Sequence, residues 1–293
     1  MQTTPLRRLG KSGAEVPAIG VGTNRWSYGA NDAPVFETYQ ALVEAGGGFI
    51  DTAEIYGFGK SERLIGECVR KDGRPVFVAS KFAPFLVRTS PGSLMAALDA
   101  TLTRLGLACV DLYYVHFPFP FVDLADFADG LAEAVKSGKA RHVGVSNFNA
   151  DQMRRVADRL ARSNIPLAAN EVQYSLAHRN PESNGVLEAC RELDVALVAY
   201  FPLASGRLTG PPTDDAKPDK LDGLRRALAG VAQSHQALQS QVALNWLLAR
   251  DPCVIPIPGA TKARHAQANL GALEWRLTDE EFALLDAASA PAK

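Results

Sequence analysis

Eight short apolar runs, separated by longer amphipathic segments, constrain this chain more than any other feature. The runs are AIGVGT, FIDTA, VFVASK, VDLYYVH, RHVGVS, AANEVQY, ALVAYFPL and VIPIPGA, centred near residues 20, 50, 78, 113, 143, 171, 199 and 257. Between them, VFETYQALVEA, SERLIGECVRK, LMAALDATLTRLG, FADGLAEAVKSG, DQMRRVADRLARS and NGVLEACREL carry apolar residues at i, i+3, i+4 and i+7, the spacing of one helix face. Nearly all-apolar strands have no polar face to offer water, so they require a parallel sheet covered by helices. A right-handed crossover repeated eight times closes such a sheet on itself. The pattern predicts an α/β chain folded as one (β/α)8 TIM barrel over residues 1–293. An open doubly wound sheet is disfavoured, because no G-x-G-x-x-G follows the first run.

Outside the repeat, LRRLGKSGAEVPAIG reads as two short strands joined by a Lys-Ser-Gly turn, an N-terminal β-hairpin plug for one barrel end. After the eighth run, TKARHAQANLGALEW and LTDEEFALLDAASA supply extra C-terminal helices, the second opened by a capping box of Thr278 and Glu281. The stretch Ser205 to Gly223, rich in Pro, Gly and Asp, reads as a long loop of the kind that serves as a lid.

Barrel chemistry sits where strands end, so a polar residue terminating an apolar strand has a direction as well as a type. Asp51 ends the second run, Lys81 the third and His116 the fourth, and Tyr56 lies on the loop leaving Asp51. A buried carboxylate needs a cationic partner or a proton, and Lys81 is the expected partner of Asp51. An ammonium beside a phenol favours the phenolate, so Lys81 is expected to lower the pKa of Tyr56 and make it a proton donor, with His116 orienting a carbonyl oxygen. None of these residues supplies a hydride, so reduction here requires a nicotinamide cofactor.

The chain has 31 Lys and Arg against 32 Asp and Glu, and no clustered basic run. That excludes an electrostatic footprint for nucleic acid or an anionic membrane and favours a small-molecule partner. The N-terminus lacks an apolar signal core, and no apolar stretch reaches the roughly 20 residues that span a bilayer. A cytoplasmic location is expected. Cys68, Cys109, Cys190 and Cys253 are scattered without a C-x-x-C pair and read as buried free thiols.

At D-T-A-E-I-Y-G-F-G-K-S-E, A-S-K and Y-V-H the sequence resembles the aldo-keto reductase superfamily. The likeness continues through GVSNF, NEVQYS, AYFPLASGRLTG and IPIPGATKARHAQANLGAL, covering essentially the whole chain in order. The resemblance implies NADPH-dependent reduction of aldehydes or ketones, with Asp51, Tyr56, Lys81 and His116 as the catalytic set and Tyr56 as general acid. It assigns the nicotinamide end of the cofactor to Thr23, Ser146, Asn147, Glu171 and Tyr200, the last stacking on the ring. Phe201, Pro202, Leu203, Ser205 and Arg207 would line the pyrophosphate path. Ile257, Gly259, Ala260, Thr261, Lys262, His265 and Asn269 would take the adenosine 2′-phosphate region. Glu171 stands where many relatives carry Gln, which costs a donor to the carboxamide. Gly259 and His265 also depart from the cationic pattern, so NADPH is preferred over NADH chiefly on Lys262, His265 and Thr261.

Trp26, Phe82 and Phe117 would wall the substrate, with Phe119 and Phe121 either joining them or packing the loop. The branch that contains pyridoxal reductases is nearest in look, which makes pyridoxal or an aromatic aldehyde a candidate substrate. Two other functions remain in view. One is a nicotinamide-binding regulatory or sensor subunit with little turnover. The other, a metal-dependent hydrolase, wants His-x-His after the first strand, where GVGTN has no histidine. Oligomeric state is left open.

Overall fold

The computed structural model describes residues 4–28, 32–85, 88–120, 122–210 and 220–290. Among these residues ten strands fall into two sheets. β1 (Leu6–Arg8) and β2 (Glu15–Pro17) pair antiparallel, joined through a 3-10 turn at Gly10–Ser12. The other eight are parallel and adjacent in chain order: β3 (Val21–Gly22), β4 (Phe49–Asp51), β5 (Phe77–Phe82), β6 (Val110–Val115), β7 (Ala140–Ser146), β8 (Leu167–Gln173), β9 (Ala196–Tyr200) and β10 (Val254–Pro256). Backbone bonds Gly20 N–H to Pro256 O (3.0 Å) and Gly22 N–H to Pro258 O (3.2 Å) join the first of these to the last. The sheet therefore closes into the expected barrel.

Side chains alternate along each strand with the period of two that the pleat dictates. Phe49, Ala79, Leu112, Tyr114, Ala169, Ala196, Val198, Ile255 and Ile257 form one buried cluster inside the barrel. Ile50, Val78, Tyr113, Val143, Val172 and Leu197 face outward into a larger cluster beneath the helices. The six amphipathic segments are helices at Ala33–Glu44, Lys60–Asp72, Pro91–Leu105, Leu124–Lys136, Ala150–Ala161 and Val186–Leu193. Ser90, Asp123 and Asn149 cap three of them through side-chain oxygens, as short polar residues do at exposed helix starts.

Leu9 and Val16 of the hairpin are fully buried in the inner cluster, so the hairpin does plug the barrel. Gly10 makes this close approach possible. It has φ +51°, and a Cβ there would lie 2.0 Å from the Asp194 carbonyl oxygen, whose acceptor role toward Lys11 N–H (2.8 Å) fixes the turn. Gly10→Ala is expected to lower stability by about 2 kcal/mol or more, since it adds left-handed strain to a backbone clash. Urea denaturation checks this, and an unchanged midpoint would show that the plug contributes nothing to the fold.

The extra C-terminal helices occur at Ala263–Leu270 and Asp279–Ala288, the latter with the Thr278–Glu281 capping box. Helices Asp222–Ser234 and Gln239–Arg250, between β9 and β10, were not singled out in the sequence. The first begins at Asp222, inside the expected 205–223 loop. Residues 211–219, the centre of that proposed lid, and Phe121 lie outside the described residues.

Candidate active site

Alternation fixes which strand-end residues meet. Phe49 points inward on β4, so Asp51 does too; Ala79 and Lys81 do the same on β5, Tyr114 and then His116 follow on and beyond β6, and Ala169 and Glu171 on β8. Asp51 is 1% exposed, Lys81 0% and Glu171 3%. Lys81 Nζ donates to Asp51 Oδ1 and to the Thr52 carbonyl (2.9 Å). It also lies 3.2 Å from Glu171 Oε2, an ion-pair contact rather than a directed hydrogen bond. The ammonium sits 5.5 Å from the Tyr56 ring centroid and 5.6 Å from that of Tyr114. Tyr56 meets His116 edge-on at 5.9 Å between centroids. The four strand-end and loop residues thus converge, and Lys81 is the partner of Asp51.

Support for this group lies one layer out. Thr23 Oγ1 donates to the Asp51 carbonyl (2.9 Å) and pairs with Ser61 Oγ (2.9 Å), which also accepts from Thr52 Oγ1 (2.9 Å). Gly57, directly behind Tyr56, has φ +58°, and a Cβ there would fall 2.4 Å from Ser27 Cβ. The glycine is what lets the tyrosine loop pack against the turn after β3. Glu54, on the same loop, accepts from Ala83 N–H (2.7 Å) and Arg88 (2.9 Å), binding it to the chain that leaves Lys81.

The electrostatics depart from expectation at Tyr56. Burial raises its pKa, and the charges of Asp51 and Glu171 raise it further, outweighing the opposing pull and hydrogen bond of Lys81. Lys81 does pull the value down, as expected, but burial outweighs that pull, so the net shift is upward. The phenol stays protonated across the physiological range. Lys81 is opposed by burial but held charged by Asp51 and Glu171, and its pKa is raised. His116 is pushed down to about 3, first by burial and then by the charge of Lys81, so its imidazole is neutral. Its Nδ1 has no hydrogen-bond partner among the described residues.

The residues assigned to the cofactor divide into open and enclosed groups. Ser146 Oγ donates to the Glu171 carbonyl (3.0 Å), and Asn147, at φ +63°, donates to the His116 carbonyl and to Ser146 Oγ (both 3.1 Å). Tyr200 OH donates to Asn147 Oδ1 (2.9 Å), which positions its partly buried ring at the barrel mouth. Thr23 is fully buried with its hydroxyl engaged, so its side chain does not face a ligand. Phe201, Ser205 and Arg207 are exposed, whereas Pro202 is buried and Leu203 packs on the outer core. Phe201, Ala204 and Ser205 all have positive φ, and Arg225, unmarked in the sequence, donates to the Arg207 carbonyl (2.8 Å) from a nearly buried position. Thr261, Lys262 and His265 are exposed at the N-terminus of the Ala263–Leu270 helix; Gly259 is exposed beside them, while Ile257, Ala260 and Asn269 are buried.

Two of the expected substrate walls are placed elsewhere. Phe82 is 1% exposed, points outward because it alternates with Lys81, and lies under the Arg88 guanidinium at 4.8 Å. Trp26 is buried with its indole N–H donated to the Ala260 carbonyl (2.6 Å), so it stitches the turn after β3 to the chain after β10. Phe117 remains at the rim, edge-on to Phe85 (5.8 Å) and beside His116 (5.7 Å). Phe85, nearly half exposed and not singled out in the sequence, stands beside Phe117; Phe119 packs against the outer core.

Among the described residues no group of three or more His, Cys, Asp or Glu could hold a metal ion, and no helix is long and apolar enough to cross a membrane. Comparison with known proteins bears on the same site. Residues 18–290 match the profile of the aldo/keto reductase family. Aldo-keto reductase str7 of Strobilurus tenacellus is 35% identical, covering 95% of this chain and 90% of its own length. The chloroplastic pyridoxal reductase of Arabidopsis thaliana is 30% identical, covering 97% and 86%. The crystal structure of the aldo/keto reductase from Klebsiella pneumoniae with NADP and acetate superposes with a TM-score of 0.83 at 30% identity, covering 98% of this chain and 96% of that one.

Proposed function

This chain belongs to the aldo/keto reductase family, and from that membership we propose that it is an NADPH-dependent reductase of aldehydes and ketones. The observation that carries the reading is the convergence of Tyr56, Lys81, Asp51 and His116 at the C-terminal rim of the barrel, where this fold does its chemistry. The residues present fit the cofactor. His116 Nδ1 has no partner among the described residues at the rim, an exposed cationic helix N-terminus stands at one side, and the Tyr200 ring stands at the mouth.

In this reading Tyr200, Ser146 and Asn147 hold the nicotinamide end, Ser205 and Arg207 face the pyrophosphate, and Thr261, Lys262 and His265 take the 2′-phosphate at the helix N-terminus. When bound, NADPH supplies the hydride. The protein's own work is on the carbonyl oxygen. Neutral His116 orients that oxygen through an N–H, and Tyr56 gives its phenolic proton to the oxygen as negative charge develops there. A phenol with a raised pKa is still far more acidic than the alcohol being formed, so the transfer runs downhill. Lys81, anchored by Asp51 and Thr52, stabilises the tyrosinate left behind.

Phe85 and Phe117 form an apolar entrance without an ionised group of their own, which suits an aromatic carbonyl compound, and the pyridoxal reductase likeness makes pyridoxal the first candidate. The four cysteines are unpaired, as in proteins of a reducing compartment such as the cytoplasm. Loss of NADPH absorbance with purified protein and a panel of aldehydes, pyridoxal among them, tests the reading. Turnover with NADPH exceeding that with NADH is expected. Tight NADPH binding without turnover of any carbonyl would favour the sensor alternative, and no binding of either nucleotide would overturn both.

A further inference from the structure

Lys81 has two carboxyl neighbours, and one suffices to hold it. Asp51 Oδ1 accepts its hydrogen bond, while Asp51 Oδ2 and Glu171 Oε2 are fully buried without a donor. Both carboxyl groups lie against the same ammonium, Asp51 through a hydrogen bond and Glu171 Oε2 at 3.2 Å. We propose that Glu171 keeps a proton in the resting protein and donates it to Asp51, so that the pair shares one proton beside Lys81 and Glu171 serves as a positioning residue for the lysine and tyrosine.

The count of charges requires it. Glu171 is faced by Asp51 from β4, Tyr56 from the loop after it, Lys81 from β5, Tyr114 from β6 and Tyr200 from β9, with His116 beyond Lys81. The tyrosines are protonated and His116 is neutral, so Lys81 supplies the cation. Ionising both carboxyl groups would set two negative charges against one positive in a site almost without solvent, the situation in which adjacent carboxylates retain a proton. One proton between them provides a donor for an otherwise unsatisfied oxygen, as buried polar atoms require. Burial, and after it the Asp51 charge, holds the Glu171 carboxyl well above the usual range. Asp51, which takes the direct bond from Lys81, keeps the negative charge.

The proton matters for Tyr56. With Glu171 neutral, the tyrosine faces one cation and one anion. Loss of the proton at alkaline pH adds an anion beside the phenol, makes its proton harder to release, and produces an alkaline fall in kcat that belongs to Glu171 rather than to the tyrosine. Glutamine at this position imitates the protonated form and cannot lose that proton.

The closing experiment has two arms, of which only the second rests on the reductase reading. In the first, infrared spectra of the cofactor-free protein should show the C=O stretch of a protonated carboxyl at neutral pH. The band should move on 13C-glutamate labelling and be missing in Glu171→Gln. Labelled wild type alone decides this arm if the variant fails to fold, and absence of a glutamate band overturns the proposal. In the second arm, kcat of Glu171→Gln for carbonyl reduction should stay level to higher pH than that of wild type. A variant whose alkaline limb coincides with wild type overturns the positioning role even where the band is present. If no carbonyl is reduced, the functional reading fails, and the infrared result still stands for or against the shared proton.

Discussion

Tyr56→Phe should lower the single-turnover rate of carbonyl reduction by about 10²- to 10⁴-fold, the range a positioned proton donor contributes, and leave NADPH affinity nearly unchanged. Phenylalanine keeps the ring that stands edge-on to His116 and near Lys81, so packing at the rim survives. Neither His116 nor Lys81 is a substitute acid. His116 titrates near 3 and is neutral at working pH, and the Lys81 ammonium is held by Asp51 and Thr52 with its pKa raised. Stopped-flow reduction with saturating NADPH, together with a fluorescence titration of the cofactor, separates chemistry from binding. A variant within about tenfold of wild type would place the proton donor elsewhere.

Lys81→Met should be the most damaging single change, because it removes the counter-ion of two buried carboxyl groups as well as the support of the tyrosine. Breaking a buried ion pair by deleting one partner costs about 3–5 kcal/mol, since the remaining charge has no compensation. The sign of the pH dependence follows from the carboxyl groups. Burial raises both above their ordinary values, and removing the ammonium removes the main opposition to that rise. The folded variant then binds more protons than the unfolded chain at pH above the ordinary carboxylate range, so its stability falls as pH rises. Urea midpoints should lie closest to wild type at mildly acidic pH and furthest below it at mildly alkaline pH. A deficit independent of pH would mean that the lost methylene packing, and not charge, is responsible.

The barrel was legible because both signals that encode it are local. Period two with a polar final residue picks out Asp51, Lys81 and His116, and their common inward phase brings them together. The same rule applied to Phe82, one residue beyond Lys81, would have sent it outward, as the structure does. Trp26 was harder to place: its hydrogen bond to Ala260 spans 234 residues, and nothing near it in sequence announces the partner. Glu171 was visible as a departure from Gln, but its contact with Lys81 depends on curvature of the sheet across β5 to β8. The acidity of Tyr56 was misread for a related reason. Proximity to a lysine can be inferred from motif spacing, whereas desolvation is a property of the assembled interior.

The hairpin plug has a bearing on how the protein is made. Arg7, on β1, donates to the backbone carbonyls of Leu248, Asp251 and Val254, the Asp251 contact spanning 244 residues of chain. Leu9 and Val16 beside it complete an interior that also needs Ile255 and Ile257. A segment thus finds its partners among residues synthesised 244 positions later. During translation the hairpin's apolar face waits while strand after strand emerges, and loop-closure entropy is met only when β10 arrives beside it. The nascent chain therefore presents unfinished sheet edges for most of its synthesis, the condition under which chaperones shield a growing polypeptide.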